Sequence, residues 1–263
     1  MTSHDPAHDP TRLGGVGEIA EDEATGVIAS AYAQVRELLG VPFVPTIYRM
    51  IAVHEGAFVE ALARLAPVLA AQKAEAFISR AEAVARQALG STPEDGPEGV
   101  DPQTSLLVER YSTANPLGLL FVIGLLGTDV VRRSGVMAPP LPARSNDIFT
   151  DVRQCYGGVI VPGFWRELGQ RPEVLEQVWS ATRAHAERSG FDAASRAVFE
   201  YGVATIRSAG VGSVLSDLPS REAHQIRELL GWFPTGISTM IAVTEWFRSH
   251  DQSAPTANGA TRG

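Results

Sequence analysis

The chain has 263 residues, enough for one large domain or two fused halves, and 44% of them are hydrophobic, as in an ordinary globular protein. Its formal net charge of −8 disfavours nucleic acid as a partner, because an acidic surface repels phosphate backbones. Cys155 is the only cysteine, which excludes an intramolecular disulfide and any multi-cysteine metal site, and suits a reducing cytoplasm.

Residues 1–21 are predicted to be a disordered N-terminus without an apolar signal-peptide region. His4 and His8 belong to this segment and are expected to be part of the disordered chain rather than metal ligands. The polar tail, 249–263, is predicted to be disordered as well. The longest apolar run, 117–126, is too short for a membrane span, which takes about 18 residues. We therefore expect a cytoplasmic protein with no membrane partner.

The first half, residues 22–133, is predicted to be a helical repeat. Apolar residues at helical spacing favour a first helix over about 22–39, which Gly40 ends. Pro45 is well placed in the first turn of a second helix. Further helices are predicted over about 55–70, 74–89 and 104–113, and from Pro116 to about Arg132.

A proline-rich linker, 134–146, separates this half from a second helical repeat, 147–248. Pro162 is expected to begin the second helix of that repeat, as Pro45 does in the first. The last two helices are predicted over about 219–230 and 234–248. Strict alternation of apolar and polar residues is absent, so the predicted fold is all-α.

The two halves are related by an internal repeat. Residues 28–62 align without a gap to 145–179 at an offset of 117, and Pro116 and Gly118 return as Pro234 and Gly236 at an offset of 118. Two repeats are too few for a solenoid, which needs at least three. The pattern predicts a tandem repeat that folds as a pseudo-dimer of helical bundles, with a single asymmetric site where the bundles meet.

Positions that differ between the repeats are the best candidates for that site. Asn115 has Phe233 as its mate, and Gly163 has Thr46. Asn115 could face a ligand, or cap the helix that follows it, as Asn does well. A glycine in a helix costs about 1 kcal/mol relative to alanine, so Gly163 suggests that another group approaches closely.

Arg49 and Arg166 are present in both halves. A symmetric pair of arginines could bind a carboxylate through bidentate hydrogen bonds. Alternatively, each pairs with a nearby acid or caps a buried carbonyl. Their recurrence in both repeats favours a structural role, because a single site requires asymmetry.

Several short segments resemble those of the group I 2-haloacid dehalogenases, the type that acts on both enantiomers. The resemblance extends over most of residues 25–248 and depends on the order and spacing of the following features: Val41-Pro42-Phe43-Val44, Arg49, Gly56, Ala114-Asn115-Pro116, Tyr156, Phe164 and Leu168. It implies an all-helical pseudo-dimer related to the alkylhydroperoxidase-D-like fold. Those peroxidases use a CxxC pair, which this chain lacks.

The resemblance also implies a mechanism. In the dehalogenases one Asp and one Asn activate a water, which attacks the halogen-bearing carbon without a covalent intermediate. Asn115 matches the family Asn, whereas Gly163 stands at the position of the Asp and has no side chain to accept a proton. Glu167, one turn further along, is the expected replacement, and Asp151 is a weaker candidate. The alternative for Glu167 is a solvated residue paired with Arg171.

The expected catalytic residues are therefore Asn115 and Glu167. The expected substrate-binding residues are Phe43, Thr46, Tyr156, Gly163 and Phe233, and no cofactor or metal is expected. We expect a small-molecule ligand and leave a homodimer open.

Three functions follow from these expectations. The first is a 2-haloacid dehalogenase-like enzyme that acts on a small 2-substituted carboxylic acid through an activated water. The alternative is a divergent relative without that activity, which binds or transforms a larger, more apolar molecule in a cavity widened at Gly163 beside Trp165. The third is a purely structural helical dimer.

Overall fold

The computed structural model describes residues 17–74, 76–90, 101–158 and 160–250. Over these ranges the regular structure is helical and contains no strand, which confirms the predicted all-α class. None of the helices within them is both long and apolar enough to cross a bilayer. His4 and His8, for which disorder was predicted, lie outside the described residues, as do the rest of 1–16 and all of 251–263. The helices are α1 (Gly26–Leu39), α2 (Thr46–Ile51), α3 (Glu55–Ala74), α4 (Phe77–Leu89), α5 (Pro102–Leu126), α6 (Ile148–Cys155), α7 (Gly163–Leu168), α8 (Pro172–Arg188), α9 (Asp192–Ser208), a 3₁₀ helix (Val214–Asp217), α10 (Ser220–Leu230) and α11 (Phe233–His250).

The core is built from four helices that pack against one another. The most extensive packing is between α5 and α11, followed by α4 against α9 and α11 against α9. Nearly every residue of α5 from Ala114 to Leu126 is buried. At the offset of the repeat, α4 corresponds to α9, and the C-terminal half of α5 corresponds to α11. The two most extensive helix–helix contacts, α5 with α11 and α4 with α9, therefore each join a helix of the first half to the corresponding helix of the second half.

Two short helices stand at equivalent places in the halves. α2 and α7 each have six residues and follow a proline with nearly the same backbone angles, φ −58° and ψ 149° at Pro45 and φ −56° and ψ 146° at Pro162. The fixed φ of proline suits a helix start. Each short helix packs on the other half of the chain, α2 on α10 and α7 on α5. Helices therefore follow Pro45 and Pro162 as predicted, but each proline caps its helix from outside and the first helical residues are Thr46 and Gly163.

The long helix α5 corrects one prediction. We expected a break at Asn115-Pro116, but one helix runs from Pro102 to Leu126. The Asp101 carboxylate caps its start by accepting from the backbone N–H groups of Gln103 and Thr104. Proline inside a helix costs about 3 kcal/mol or more, and here the buried C-terminal half offsets that cost. The helix ends at Gly127, short of the predicted Arg132.

Contacts at the predicted borders also differ from expectation. Residues 17–21 were assigned to a disordered terminus, yet the backbone N–H of Ile19 donates to the Arg49 carbonyl, and Tyr32 donates to the Ile19 carbonyl. The linker is also held, because Met137 is fully buried and its backbone bonds Cys155 and Phe191. At the other border, α11 continues to residue 250, into the predicted tail.

Candidate functional site

A small cavity of about 60 Å³ lies between α2, α5, α7 and α11. Most of its lining residues form pairs related by the repeat offset of 117 or 118, so the same positions of both halves face one space. The pairs are Pro45 with Pro162, Thr46 with Gly163, Ile47 with Phe164, Ala114 with Trp232, Asn115 with Phe233 and Gly118 with Gly236. The remaining lining residues are Tyr111, Ile160, Ile237 and Met240. We call this space the central cavity.

The wall of the central cavity is mostly apolar, and Asn115 is the main exception. The side-chain nitrogen of Asn115 is buried and has no hydrogen-bond partner among the described residues. Because Asn115 lies inside α5, it does not cap a helix, and that alternative is wrong. A buried donor without a partner costs about 1–3 kcal/mol. A polar ligand that accepts a hydrogen bond from Asn115 would remove this cost.

Tyr111 fills the space beside Gly163. An ideal Cβ atom at position 163 would stand 2.5 Å from the Tyr111 hydroxyl oxygen and 3.3 Å from its Cζ atom. The first distance is shorter than real Cβ contacts and the second is tight, so any side chain at 163 would force Tyr111 to shift. The expectation that Gly163 widens the cavity is therefore wrong, because a phenol occupies the room.

The Tyr111 hydroxyl donates a hydrogen bond of 2.6 Å to Oε1 of Glu167. Burial of both groups makes their ionised forms costly. It raises the pKa of Tyr111 well above its ordinary value, with the Glu167 charge adding to the shift. Burial also raises the pKa of Glu167, against the opposing effect of the Tyr111 hydrogen bond. The two side chains form a neutral donor and an ionisable acceptor on neighbouring helices.

Glu167 lies in a second, more polar cavity of about 250 Å³. The wall that this cavity shares with the central cavity consists of Pro45, Thr46, Tyr111 and Gly163. Three arginines and two carboxylates are among its other lining residues. All of the other lining residues are Glu21, Pro42, Phe43, Val44, Arg49, Arg110, Arg166, Glu167 and Gln170. We call this space the outer cavity.

The repeated arginines are buried and hold polar groups in place. A guanidinium nitrogen of Arg166 donates to the Thr46 hydroxyl at 2.6 Å. Arg49 pairs with the carboxylate of Glu18 at 3.3 Å. Arg166 therefore touches a residue of the central cavity wall, which places a positive charge directly behind Thr46.

The predicted site residues fall into three groups. Asn115, Thr46, Gly163 and Phe233 meet at the central cavity. Phe43 and Glu167 line the outer cavity, together with Thr46 and Gly163. Tyr156 lines neither of the two cavities and is fully buried, with its backbone carbonyl accepting from the Trp232 indole.

The structure contradicts two of the sequence-based interpretations of acidic residues, the pairing of Glu167 with Arg171 and the role of Asp151 as a candidate base. Glu167 does not pair with Arg171, which instead binds Asp101 at 2.7 Å. Asp151, the weaker candidate base, is 3% exposed and already accepts from Arg183, Trp179 and the backbone of Ser145. It lines neither cavity, so its carboxylate belongs to a buried ion pair.

Tyr111 is the residue that sequence reasoning missed. It stands four residues before Asn115, a spacing that puts both side chains on one face of α5. Its counterpart at an offset of 118 is Leu229, so this position also differs between the halves. Helix spacing and repeat asymmetry together would have indicated Tyr111.

Acidic, histidine and cysteine side chains do not gather into a metal-binding group anywhere in the described ranges. No protein-family model matches the chain, and no curated protein matches it.

Solved structures with a similar fold exist. A mutant D-2-haloacid dehalogenase superposes with a TM-score of 0.73 at 16% identity, covering 89% of this chain and 95% of that chain. A mutant D-2-haloacid dehalogenase in complex with D-2-CPA gives 0.72 at 18% identity, covering 89% and 96%. A D-2-haloacid dehalogenase in complex with L-LA gives 0.69 at 17% identity, with the same coverage. The chain therefore has the fold seen in the D-2-haloacid dehalogenases.

Proposed function

We propose that this protein is a haloacid dehalogenase-like hydrolase. It would bind a small 2-substituted carboxylic acid in the central cavity and displace the substituent with an activated water. The observation that carries the proposal is the buried side-chain nitrogen of Asn115, which has no partner in the described structure, on a residue that lines a mostly apolar cavity. The fold similarity to D-2-haloacid dehalogenases supports the same reaction class.

The size of the cavity favours a small ligand. A water needs roughly 10–15 Å³ of such space, so about 60 Å³ holds roughly four to six atoms of that size. A 2-halopropionate has six non-hydrogen atoms and is close to this limit. The small volume therefore favours a small acid, the first of the sequence-based hypotheses.

The walls offer partners for each part of such a ligand. The Thr46 hydroxyl accepts from Arg166, which leaves its own hydrogen to donate to a substrate carboxylate. The nearby guanidinium strengthens this donor through its charge. The apolar residues Ile160, Phe233 and Met240 suit the carbon skeleton and the halogen.

In the reaction that we propose, a water oxygen bonds to the second carbon while the bond from that carbon to the halogen breaks. The halide leaves with the bonding electrons, and the product is a 2-hydroxy acid. Asn115 would hold the water, because its amide can both donate and accept. Holding the nucleophile close to the carbon can lower the barrier by several kcal/mol.

We further propose that the two halves are related by a pseudo-two-fold axis through the central cavity. The six repeat-related pairs in its lining support this, as do the contacts of α5 with α11 and of α4 with α9. On such an axis the cavity is shared by both halves, and the chemistry depends on the pairs that differ, above all Asn115 with Phe233.

The test is halide release from D- and L-2-chloropropionate, measured together with binding of each acid by calorimetry. We expect saturable binding and turnover of at least one enantiomer. Asn115→Ala should lower kcat by about 10²-fold or more, because the water loses its partner. The matched control is Thr113→Ala on the same helix, whose hydroxyl bonds only the Glu109 carbonyl among the described residues. Absence of binding, or equal activity in Asn115→Ala, would contradict the proposal.

A further inference from the structure

The position of the missing carboxylate is not empty. The Tyr111 hydroxyl stands 2.5 Å from where the Cβ atom of a residue at 163 would be, so a polar oxygen is already present at this part of the wall. Tyr111 lines both cavities. On its outer side it is bonded to a carboxylate, Glu167.

We propose that Tyr111 and Glu167 together act as the base for the attacking water, with Tyr111 passing the proton on to Glu167. This inference rests on the proposed function and adds the groups that accept the proton. Tyr111 is the catalytic residue, because its oxygen would touch the water. Glu167 is the final acceptor and acts through Tyr111.

The geometry of α5 brings the required groups together. Tyr111 and Asn115 are four residues apart, so their side chains are neighbours on one helix face, with Cβ atoms about 5–6 Å apart. Both face the central cavity. In the arrangement that we propose, a single water bonds the Asn115 amide and the Tyr111 oxygen at the same time.

The existing hydrogen bond sets the direction of transfer. A phenol has one hydrogen to donate and can also accept. Because Tyr111 gives its hydrogen to Glu167, its oxygen can only accept from a water in the central cavity. A proton can then move from water to the Tyr111 oxygen while the Tyr111 proton moves to Glu167.

The step balances in atoms and charge. The water oxygen bonds to the substrate carbon, the halide leaves with the bonding electrons, and the water proton passes to the Tyr111 oxygen. The original phenol proton passes to the Glu167 carboxylate, which becomes neutral. Tyr111 is thus a neutral phenol before and after the step, and no free phenolate forms.

The outer cavity supplies a route for the proton to leave. Glu167 lines this space with Glu21, Arg49, Arg110 and Arg166, and water in it can take up the proton between turnovers. Burial raises the pKa of Glu167, while Tyr111, Arg110, Arg166 and Arg49 oppose that shift. A base with a raised pKa accepts a proton more readily near neutral pH.

The test compares Tyr111→Phe and Glu167→Gln with the wild type, using 2-chloropropionate as the probe. Both substitutions conserve shape, and Glu167→Gln keeps an oxygen that can accept from Tyr111. General-base help is typically worth about 10²–10⁴-fold, so we expect kcat to fall by about 10²-fold or more in each variant. KM should change little. The double variant should be no slower than the slower single one, because both act in one step.

The pH profile separates this role from a structural one. Wild-type kcat/KM should fall as the pH drops through the pKa of Glu167, and this acidic limb should vanish from the residual activity of Glu167→Gln. Matched controls are Glu176→Gln, an exposed residue, and Tyr201→Phe, whose ring stacks on Phe77 away from both cavities. Both controls should keep wild-type rates and the acidic limb.

The outcomes distinguish this inference from the proposed function. If the wild type turns over and Tyr111→Phe is equally fast, the proton relay is wrong and the hydrolase assignment stands. If the acid binds but no halide is released, both the relay and hydrolysis are wrong, and the central cavity is only a binding site. If no acid binds, the proposed function itself fails.

Discussion

Tyr111 and Gly163 compete for the same space, because the phenol oxygen lies 2.5 Å from the point where a Cβ at 163 would stand. They are 52 positions apart in the chain and lie on α5 and α7. A change at one of them therefore alters what the other position tolerates.

This relationship predicts a coupling that can be measured. Gly163→Ala should lower the free energy of unfolding by about 1–3 kcal/mol, the usual cost of overpacking. In a Tyr111→Phe background the same substitution should cost less, because the closest remaining atom is then 3.3 Å away. Urea unfolding followed by tryptophan fluorescence measures the cycle. The control is a cycle that combines Gly56→Ala with Tyr111→Phe. A Cβ at 56 meets nothing within 4 Å, so the two changes in unfolding free energy should simply add. Additivity at Gly163 would contradict the steric account.

Gly118 offers a way to fill the central cavity. It lines that cavity, and a Cβ there would meet nothing within 4 Å. Gly118→Ala should raise the stability of α5, since glycine costs about 1 kcal/mol in a helix, while weakening the binding of 2-chloropropionate. Gly118→Leu should abolish binding. Calorimetric Kd values beside unfolding curves test this, and unchanged affinity in Gly118→Leu would show that the ligand lies elsewhere.

Glu167 should make stability depend on pH in a defined direction. Because burial raises its pKa above the ordinary 4.5, the folded chain holds this proton more tightly than the unfolded chain. The free energy of unfolding therefore contains a contribution that is fully present below about pH 4.5 and is lost as the pH rises through the folded pKa. Glu167→Gln lacks this contribution, so its stability relative to wild type should increase between pH 4.5 and 8. Chemical denaturation across this range measures the difference. A pH-independent difference between the two proteins would contradict the raised pKa.

Asp151 should be a stability residue rather than a catalytic one. It bonds Arg183 at 2.6 Å, and both side chains are almost fully buried. Asp151→Asn removes the buried carboxylate and leaves the Arg183 guanidinium with only the more exposed Glu187 at 3.0 Å, so it should cost about 3–5 kcal/mol. The matched control, Asp217→Asn, breaks an exposed pair with Arg64 and should cost about 0–1 kcal/mol. Thermal unfolding compares the two, and a loss of kcat without a loss of stability in Asp151→Asn would contradict this assignment.

The helices were predictable because their signals are local. Proline at 45 and 162, glycine at 40 and helical spacing of apolar residues each act within a few positions of the chain. The break at Pro116 was the exception, because a rule for exposed helices fails where the helix packs extensively against α11.

The site was predictable only in part. The repeat indicated Asn115, Thr46, Gly163 and Phe233 because these positions differ between the halves, and all four line the central cavity. The contact of Tyr111 with Glu167 could not be found this way, since it joins residues 56 positions apart through the packing of α5 against α7. Local pattern carries no information about which side chain fills the space left by a glycine.

The shared wall of the two cavities has a consequence for engineering. Of its four residues, Tyr111 carries the largest side chain, so a small residue at 111 would join a chamber of about 60 Å³ to one of about 250 Å³. The merged chamber would admit longer acids and bring three arginines within their reach. For the proposed hydrolase, replacement of Tyr111 by a small residue is therefore the most direct way to extend the substrate range to longer acids.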